Sequence, residues 1–245
     1  MPIMQFLKNP ANSVSREKMF FNKLYFDLKL AAAQTGVPLQ IFTPEVDRDG
    51  FDVVIDDADL ERRFQLKSFI KLASTKSWDI HKRLLRPIHE YAQVLGFEFS
   101  PEGVGLGGGV ILIEIDGSDD ACPVSYYYTD IFVLLAFFDG LIGTAQTRDK
   151  AKMVIQHLRR NAGRMKAPLP LGVFVKMKSP SCLLAIAGFH SMEDSHCWWG
   201  TFLTALGEGF RADEIPASDD VPGRIAKAKA DQAVEELVSL IEPIR

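Results

Sequence analysis

Between Val14 and Ile70 the spacing of apolar residues changes from helical to alternating, and this change restricts the chain to a fold that mixes both element types. Phe20, Phe21, Leu24, Leu28, Ala31 and Ala32 recur every three to four residues. Ser13 or Ser15 precedes them as an N-cap, and Gly36 and Pro38 end the pattern. The spacing predicts a helix over residues 14–35, with Glu17 and Lys18 in its first turn. Three strand-like runs follow: Leu39 to Thr43, Phe51 to Asp56 and Arg63 to Ile70. Residues 44–50 supply turn chemistry. The connection around Asp57-Ala58-Asp59 is short, so the second and third runs are expected to form an antiparallel hairpin.

The rest of the chain continues the mixture. A helix is expected from Asp79 to Leu95, bent at Pro87, and a glycine-rich turn from Gly103 to Gly109 leads into a strand from Val110 to Ile115. A strand from Val124 to Tyr128, a buried helix from Asp130 to Leu141 and a basic helix from Thr147 to Ala162 come next. Two strands, Gly172 to Met177 and Leu183 to Phe189, precede a Trp-containing segment and a closing helix from Pro222 to Ile241. Gly and Pro cluster between Asn161 and Pro170, the one plausible boundary. The expected organisation is an α/β core over residues 1–145, a mixed β-sheet flanked by helices, with a C-terminal α+β extension over 146–245 packed on it.

Composition narrows the class. Three cysteines among 245 residues, far apart and odd in number, fit a reducing compartment better than a disulfide framework. The start lacks a signal-peptide pattern, and the most apolar run, Ile131 to Phe138, falls short of the roughly 20 residues of a spanning helix. A soluble, cytoplasmic protein with no membrane partner is expected. Net charge is −4, yet it is unevenly spread. Eight basic residues face three acids between Glu61 and Glu90, and seven face Asp149 alone between Thr147 and Lys166. These stretches are either basic faces for a polyanion or solvated helix surfaces.

Alternation gives the hairpin its chemistry. Phe51, Val53 and Ile55 point one way and Asp52 the other; Phe64, Leu66 and Ser68 oppose Arg63, Gln65 and Lys67. Asp52, Gln65 and Lys67 therefore meet on one side of the sheet. A carboxylate, a second oxygen ligand and an ammonium so spaced suit phosphodiester hydrolysis, in which the oxygens hold Mg²⁺ (or Mn²⁺) and the lysine stabilises developing charge. Glu17 lies on the core stripe of the leading helix, where it either assists such a site or complements the helix dipole. Asp56, Asp57 and Asp59 read as turn-capping acids. The Gly103–Gly109 run precedes a strand, so it is a plain turn or a close approach rather than a dinucleotide loop. His190, His196 and Cys197 have no second ligand pair for zinc, and Trp198-Trp199 reads as core or interface. His81, Lys82 and Arg83 are either phosphate-directed or helix surface.

Glu17 on a leading helix, then Asp52, then, after a gap of twelve residues, Gln65-Leu66-Lys67-Ser68, resembles the PD-(D/E)XK nuclease superfamily. The resemblance is strongest to the Mrr-type restriction endonuclease branch with its Gln-x-Lys motif. The gap and the leading acid are also similar to archaeal Holliday-junction resolvases. It covers about residues 14–70, reaching 145 if the later strand and helix complete the core. It implies a restriction-endonuclease-like core, with metal ligation by Asp52, Gln65 and the Leu66 carbonyl, help from Glu17 and catalysis by Lys67. The implied activity is metal-dependent endonuclease cleavage of DNA in restriction or phage defence, with a homodimer suited to double-strand cuts. Two departures stand out. Phe51 replaces the family's proline, and Gln65 replaces a carboxylate, which removes a negative charge from the metal site. The alternative is therefore a non-catalytic nucleic-acid-binding or protein-interaction module on the same scaffold.

Overall fold

The computed structural model describes residues 2–45, 50–71, 73–98, 103–118, 121–160, 165–189, 197–217 and 219–244. The elements in chain order are α1 (Pro2–Lys8), α2 (Ser13–Thr35), β1 (Gln40–Phe42), β2 (Val53–Asp56), β3 (Glu61–Ile70), β4 (Ser77–His81), α3 (Lys82–Leu85), α4 (His89–Ala92), β5 (Gly109–Ile115) and β6 (Val124–Asp130). They continue as α5 (Ile131–Phe138), α6 (Ala145–Arg159), β7 (Lys166–Pro170), β8 (Val175–Lys176), α7 (Pro180–Ile186), α8 (Trp198–Gly207) and α9 (Val221–Leu240). The protein is α/β: a six-stranded mixed sheet in the order β1-β2-β3-β5-β6-β8 is joined by a two-stranded sheet, β4-β7.

The helix and hairpin expected at the start are present. α2 buries Phe20, Leu24, Leu28, Ala31 and Ala32, and ends on Gly36 in the left-handed region at φ 73°. Its start differs from expectation. A short 3₁₀ turn (Pro10–Asn12) runs straight into the helix, so Asn12 occupies the N-cap and neither Ser13 nor Ser15 does. Glu17 consequently falls beyond the first turn, which contains no acid. β2 and β3 form the antiparallel hairpin, with Asp56 opposite Glu61. The turn acids act as anticipated: Asp56 Oδ1 accepts the Ala58 N–H at 2.7 Å, and Asp57 Oδ1 accepts the Leu60 N–H at 2.9 Å. Residues 46–49 of the preceding turn lie outside the described residues.

Opposite faces of the large sheet meet different partners. Asp27 of α2 accepts the Tyr126 hydroxyl at 2.6 Å, which puts α2 over the face of β6 that carries Tyr126 and Tyr128. On the other face Phe69 packs against Trp78 of β4 at 5.3 Å, and Trp78 against Phe174 at 5.9 Å.

Three expected elements come out differently. Residues 79–95 do not form one helix. Trp78 and Ile80 are buried while Ser77 and Asp79 are exposed, an alternation that pairs β4 with β7, and only two single turns follow, α3 and α4. Pro87 cannot donate into a helical ladder. The carbonyls that a helix would use accept instead from the glycine run: Gly105 N–H donates to Pro87, Leu106 to Arg83, Gly107 to Arg86 and Gly108 to Leu84, at 2.7–2.9 Å. A Cβ at Gly105 would sit 2.3 Å from the Arg83 oxygen, and one at Gly108 2.3 Å from that of Arg63. Only glycine permits this approach. Leu183 to Phe189, expected as a strand, belongs mainly to α7, where Ser179 Oγ accepts the Cys182 N–H at 3.1 Å and Pro180 occupies the first turn. Gly172 to Met177 yields a two-residue strand, β8, after a 3₁₀ turn.

One buried ion pair ties these parts together. The Arg62 Nη2 meets Asp130 Oδ2 at 3.1 Å, with both side chains almost wholly removed from solvent. Arg62 also donates to Gly107 O at 2.8 Å and Ala187 O at 2.8 Å, while the Tyr128 hydroxyl donates to Asp130 at 2.8 Å. Asp130 Oδ1 caps α5 by accepting the Val133 N–H at 2.9 Å. Burial opposes the Arg62 charge, but Tyr128 and Asp130 outweigh it and raise the guanidinium further above its ordinary value. Removing one partner leaves the other charge buried and alone. Arg62→Met is therefore expected to lower unfolding free energy by about 3–5 kcal/mol, measured by urea denaturation; a loss within about 1 kcal/mol would contradict this role.

At the other end of α5, burial pushes the Asp139 carboxyl up to about 6, with Asp213 adding to the shift and Arg148, Arg211 and Arg159 opposing it. The folded protein holds this proton across about pH 4–6, where the unfolded chain has released it, so the stability Asp139 contributes falls as pH rises through that window. Asp139→Asn should match wild type near pH 4 and exceed it by about 1–3 kcal/mol at pH 7. Urea denaturation across that range checks this, and a difference that does not vary with pH would contradict it.

Candidate functional site: a cleft at the open edge of β3

β3 is longer than its neighbour. The β2 pairing ends at Val53 opposite Phe64, whereas β3 runs on to Ile70. Beyond Phe64 no described strand pairs with that edge. Asp52 stands where the pairing stops. Its N–H donates to the Phe64 carbonyl at 2.8 Å, and its carboxylate accepts the Leu66 N–H at 2.6 Å. The side chain thus replaces the missing strand for one residue. A residue's N–H and C=O turn to the same edge of an antiparallel strand pair. Leu66 and Ser68 therefore present their carbonyls to this open edge.

The open edge forms one wall of a cleft of about 420 Å³, lined by Asp52, Leu66, Lys67 and Ser68 of the hairpin, by Arg16, Glu17, Phe20 and Phe21 of α2, and by Trp78 of β4. The structure brings four of the five sequence-derived site residues, Glu17, Asp52, Leu66 and Lys67, to this cleft. Glu17 is exposed there, one turn N-terminal to the buried Phe20 and the half-buried Phe21. Lys67 is half-buried, and its ammonium forms no ion pair among the described residues. Gln65 is the exception. It is only 8% exposed and does not line the cleft. Its Oε1 is buried and accepts no hydrogen bond among the described residues. An acceptor left in that state is costly, so it stands ready for a donor or a cation.

Among the described residues, no cluster of three or more His, Cys, Asp or Glu is placed to hold a metal ion. Two carboxylates, a backbone carbonyl and an orphaned amide oxygen are what the hairpin and α2 offer. An all-oxygen set of this kind suits a hard cation that keeps several of its waters, and does not suit zinc. His190 and His196, weighed above with Cys197 as zinc ligands, lie outside the described residues.

Several other residues need reassignment. Of the basic stretch from Glu61 to Glu90, Arg62, Lys82 and Arg86 are buried rather than displayed. Arg63 pairs with Glu61 at 2.7 Å and lies over the Phe51 ring, and Lys71 pairs with Asp116 at 2.6 Å. Three of its eight basic residues are therefore internal and two are held in surface ion pairs, so the stretch is not a single basic face. Trp198 is core, its Nε1 donating to Ile186 O at 3.0 Å, and Trp199 stacks on Phe132 at 5.0 Å. Arg16, Thr43 and Trp78 line the cleft without having been singled out. The alternation around Trp78 was the one pattern that could have marked it.

No helix among the described residues is long and apolar enough to cross a membrane. Compared with known proteins, the chain matches no family model, no curated protein and no solved structure.

Asp52→Ala should cost about 1–2 kcal/mol, because the Leu66 N–H loses a charged acceptor in a half-exposed setting. Lys67→Ala should stay within about 0.5 kcal/mol of wild type. Urea denaturation of both variants checks this; equal losses would contradict the roles drawn for them.

Proposed function

We propose that the cleft is a metal-dependent nuclease site hydrolysing DNA phosphodiester bonds. The observation that carries this reading is the strand mismatch: β2 stops at Val53 while β3 runs on, so that Asp52, the Leu66 edge, Lys67 and Glu17 share one cleft. Further support comes from the order of elements, a leading helix, a three-strand antiparallel meander and a crossover to the parallel strand β5, in which the helix and hairpin pattern behind the PD-(D/E)XK resemblance is continuous.

Asp52 and the Leu66 carbonyl would hold Mg²⁺ or Mn²⁺, with Glu17 on the facing helix as a further donor; Gln65, buried off the cleft wall, is left out of this set. When bound, such an ion polarises the phosphate and acidifies a coordinated water. The chain's own contribution is positional. Lys67, without a carboxylate partner among the described residues, would offer its ammonium to a phosphate oxygen in the cleft. Glu17, exposed and unpaired among the described residues, can take a proton from water or orient it. A role in restriction or phage defence rests on the resemblance alone. Cutting both strands of a duplex would call for two copies of the chain.

A second reading, a nucleic-acid-binding module without turnover, is favoured by Gln65, which is uncharged, buried and off the cleft wall. Gln65→Glu separates the two if wild type binds DNA without cutting it.

Purified protein with supercoiled plasmid is expected to cut in Mg²⁺ or Mn²⁺ and not in EDTA, and Lys67→Ala should lower the rate by about 100-fold or more. Failure of wild type to cut in either metal would overturn the nuclease reading. Cutting that survives in Lys67→Ala would overturn the assignment of the cleft.

A further inference from the structure

The backbone groups along the open edge of β3 are only partly used. Asp52 takes the Leu66 N–H, and the Ala73 N–H donates to the Ile70 carbonyl at 2.9 Å. Between them, the Leu66 carbonyl and both the N–H and the C=O of Ser68 have no hydrogen-bond partner among the described residues. Leu66 and Ser68 are half-buried, so these groups sit inside the cleft and not on a flat surface. A strand edge with donors and acceptors unspent is a template for another strand.

The walls of the cleft restrict what that strand can be. Ser68 lies beside Ile113 and Ile113 beside Tyr126, so the Leu66 and Ser68 side chains are on the α2 side of the sheet, where Phe20 and Phe21 line the cleft. Lys67 and Phe69 are on the other side, toward Trp78. A second copy of β3 would bring its own α2 and β4 against these walls, whereas a lone extended segment carries no layer on either face. The free groups also specify their complement. Along the edge a donor, the Ser68 N–H, stands between two acceptors, the carbonyls of Leu66 and Ser68. Another extended backbone alternates donors and acceptors at this spacing. The phosphates of a nucleic-acid strand offer acceptors alone.

We propose that the open edge of β3 is a strand-addition site for a short extended peptide of apolar–acidic–apolar sequence. The peptide runs antiparallel to β3, as β2 does along the same edge. Its residue opposite Ser68 exchanges both backbone hydrogen bonds, and its residue opposite Leu66 donates to the Leu66 carbonyl. Both turn their side chains toward Phe20 and Phe21, which favours apolar residues. The residue between them stands opposite Lys67 in a pair without hydrogen bonds, where side chains approach most closely. Lys67 forms no ion pair among the described residues, so a carboxylate is the favoured cross-strand neighbour. A peptide so placed covers the Leu66 carbonyl and Lys67 and thereby excludes DNA from the cleft. Only this exclusion rests on the nuclease reading.

The probe is a capped pentapeptide, Thr-Val-Glu-Val-Thr, titrated into the full chain without metal while amide hydrogen exchange of Ser68 is followed by NMR. Saturable binding should slow that amide about tenfold or more. Methylating the backbone nitrogen of both valines, which keeps every side chain and the charge, should abolish the effect. Replacing the glutamate by lysine should weaken binding roughly fivefold, and Lys67→Ala should bind the two peptides equally. An unprotected Ser68 amide, equal binding of the methylated peptide, or a glutamate preference that survives in Lys67→Ala overturns the site. A Ser68 amide already slow in concentrated protein alone, and faster on dilution, overturns it in favour of a second copy of the chain. A second arm measures a labelled duplex in EDTA, which saturating peptide should displace. A duplex that stays bound while Ser68 is protected overturns the exclusion of DNA alone. The first arm requires neither DNA nor cleavage, so its failure is distinct from a failure of the nuclease reading.

Discussion

A single guanidinium holds four parts of this chain in register. Arg62 lies near the start of β3, Gly107 in the glycine run before β5, Asp130 at the junction of β6 and α5, and Ala187 at the end of α7. Removing two charges from water is expensive, and their attraction offsets that cost only if the remaining hydrogen-bonding groups are satisfied. Here the carbonyls of Gly107 and Ala187 and the Tyr128 hydroxyl supply those bonds. Because each group needs the others in place, the arrangement specifies one way of bringing β3, β5 and β6 together. The parallel β3–β5 pair is the seam that depends on it most, since its strands are separated by a crossover of nearly forty residues.

The cleft lies at the opposite end of β3 and inherits its geometry from that seam. A strand that outruns its neighbour leaves backbone donors and acceptors unpaired, a liability that proteins cover, twist away or use. Here one carboxylate covers part of the edge: Asp52 accepts the Leu66 N–H and does not cover the carbonyls. The arrangement concentrates negative and neutral oxygens on one side of the cleft and places Lys67 beside them without a neutralising partner among the described residues. The proposed function rests on that composition, in which a cation and a polyanion would each compensate the charge left by the other.

Much of the hairpin and its site was legible beforehand, and the reasons are local. The helical spacing from Phe20 to Ala32, the stop at Gly36 and the alternation on either side of Asp57 need no distant partner to be read. From that alternation Asp52, Gln65 and Lys67 fall on one face, and Glu17 falls on the helix stripe. The burial of Gln65 did not follow, because it depends on what β4 and α3 lay over that face. Residues 79–95 misled for the same kind of reason. Their apolar spacing is compatible with a helix, and the decision in favour of a strand came from β7, more than eighty residues away. Leu183 to Phe189 has strand-like composition, but Ser179 and Pro180 start a helix that packs against α2 and α9.

Charge was the least legible property of all. Arg62, Lys82 and Arg86 look like members of a basic surface, since nothing about an arginine in a sequence says whether its partner is water, a buried carboxylate or the end of a helix. The sequence by itself determined the elements whose periodicity and caps are local, together with the set of side chains that alternation places on one strand face. Only the tertiary structure decided which strand β3 would outrun, which cations would be buried and which oxygen would be left without a donor. Those outcomes depend on pairings across tens of residues, where the free energy of a contact is set by what arrives opposite it and not by the residue alone.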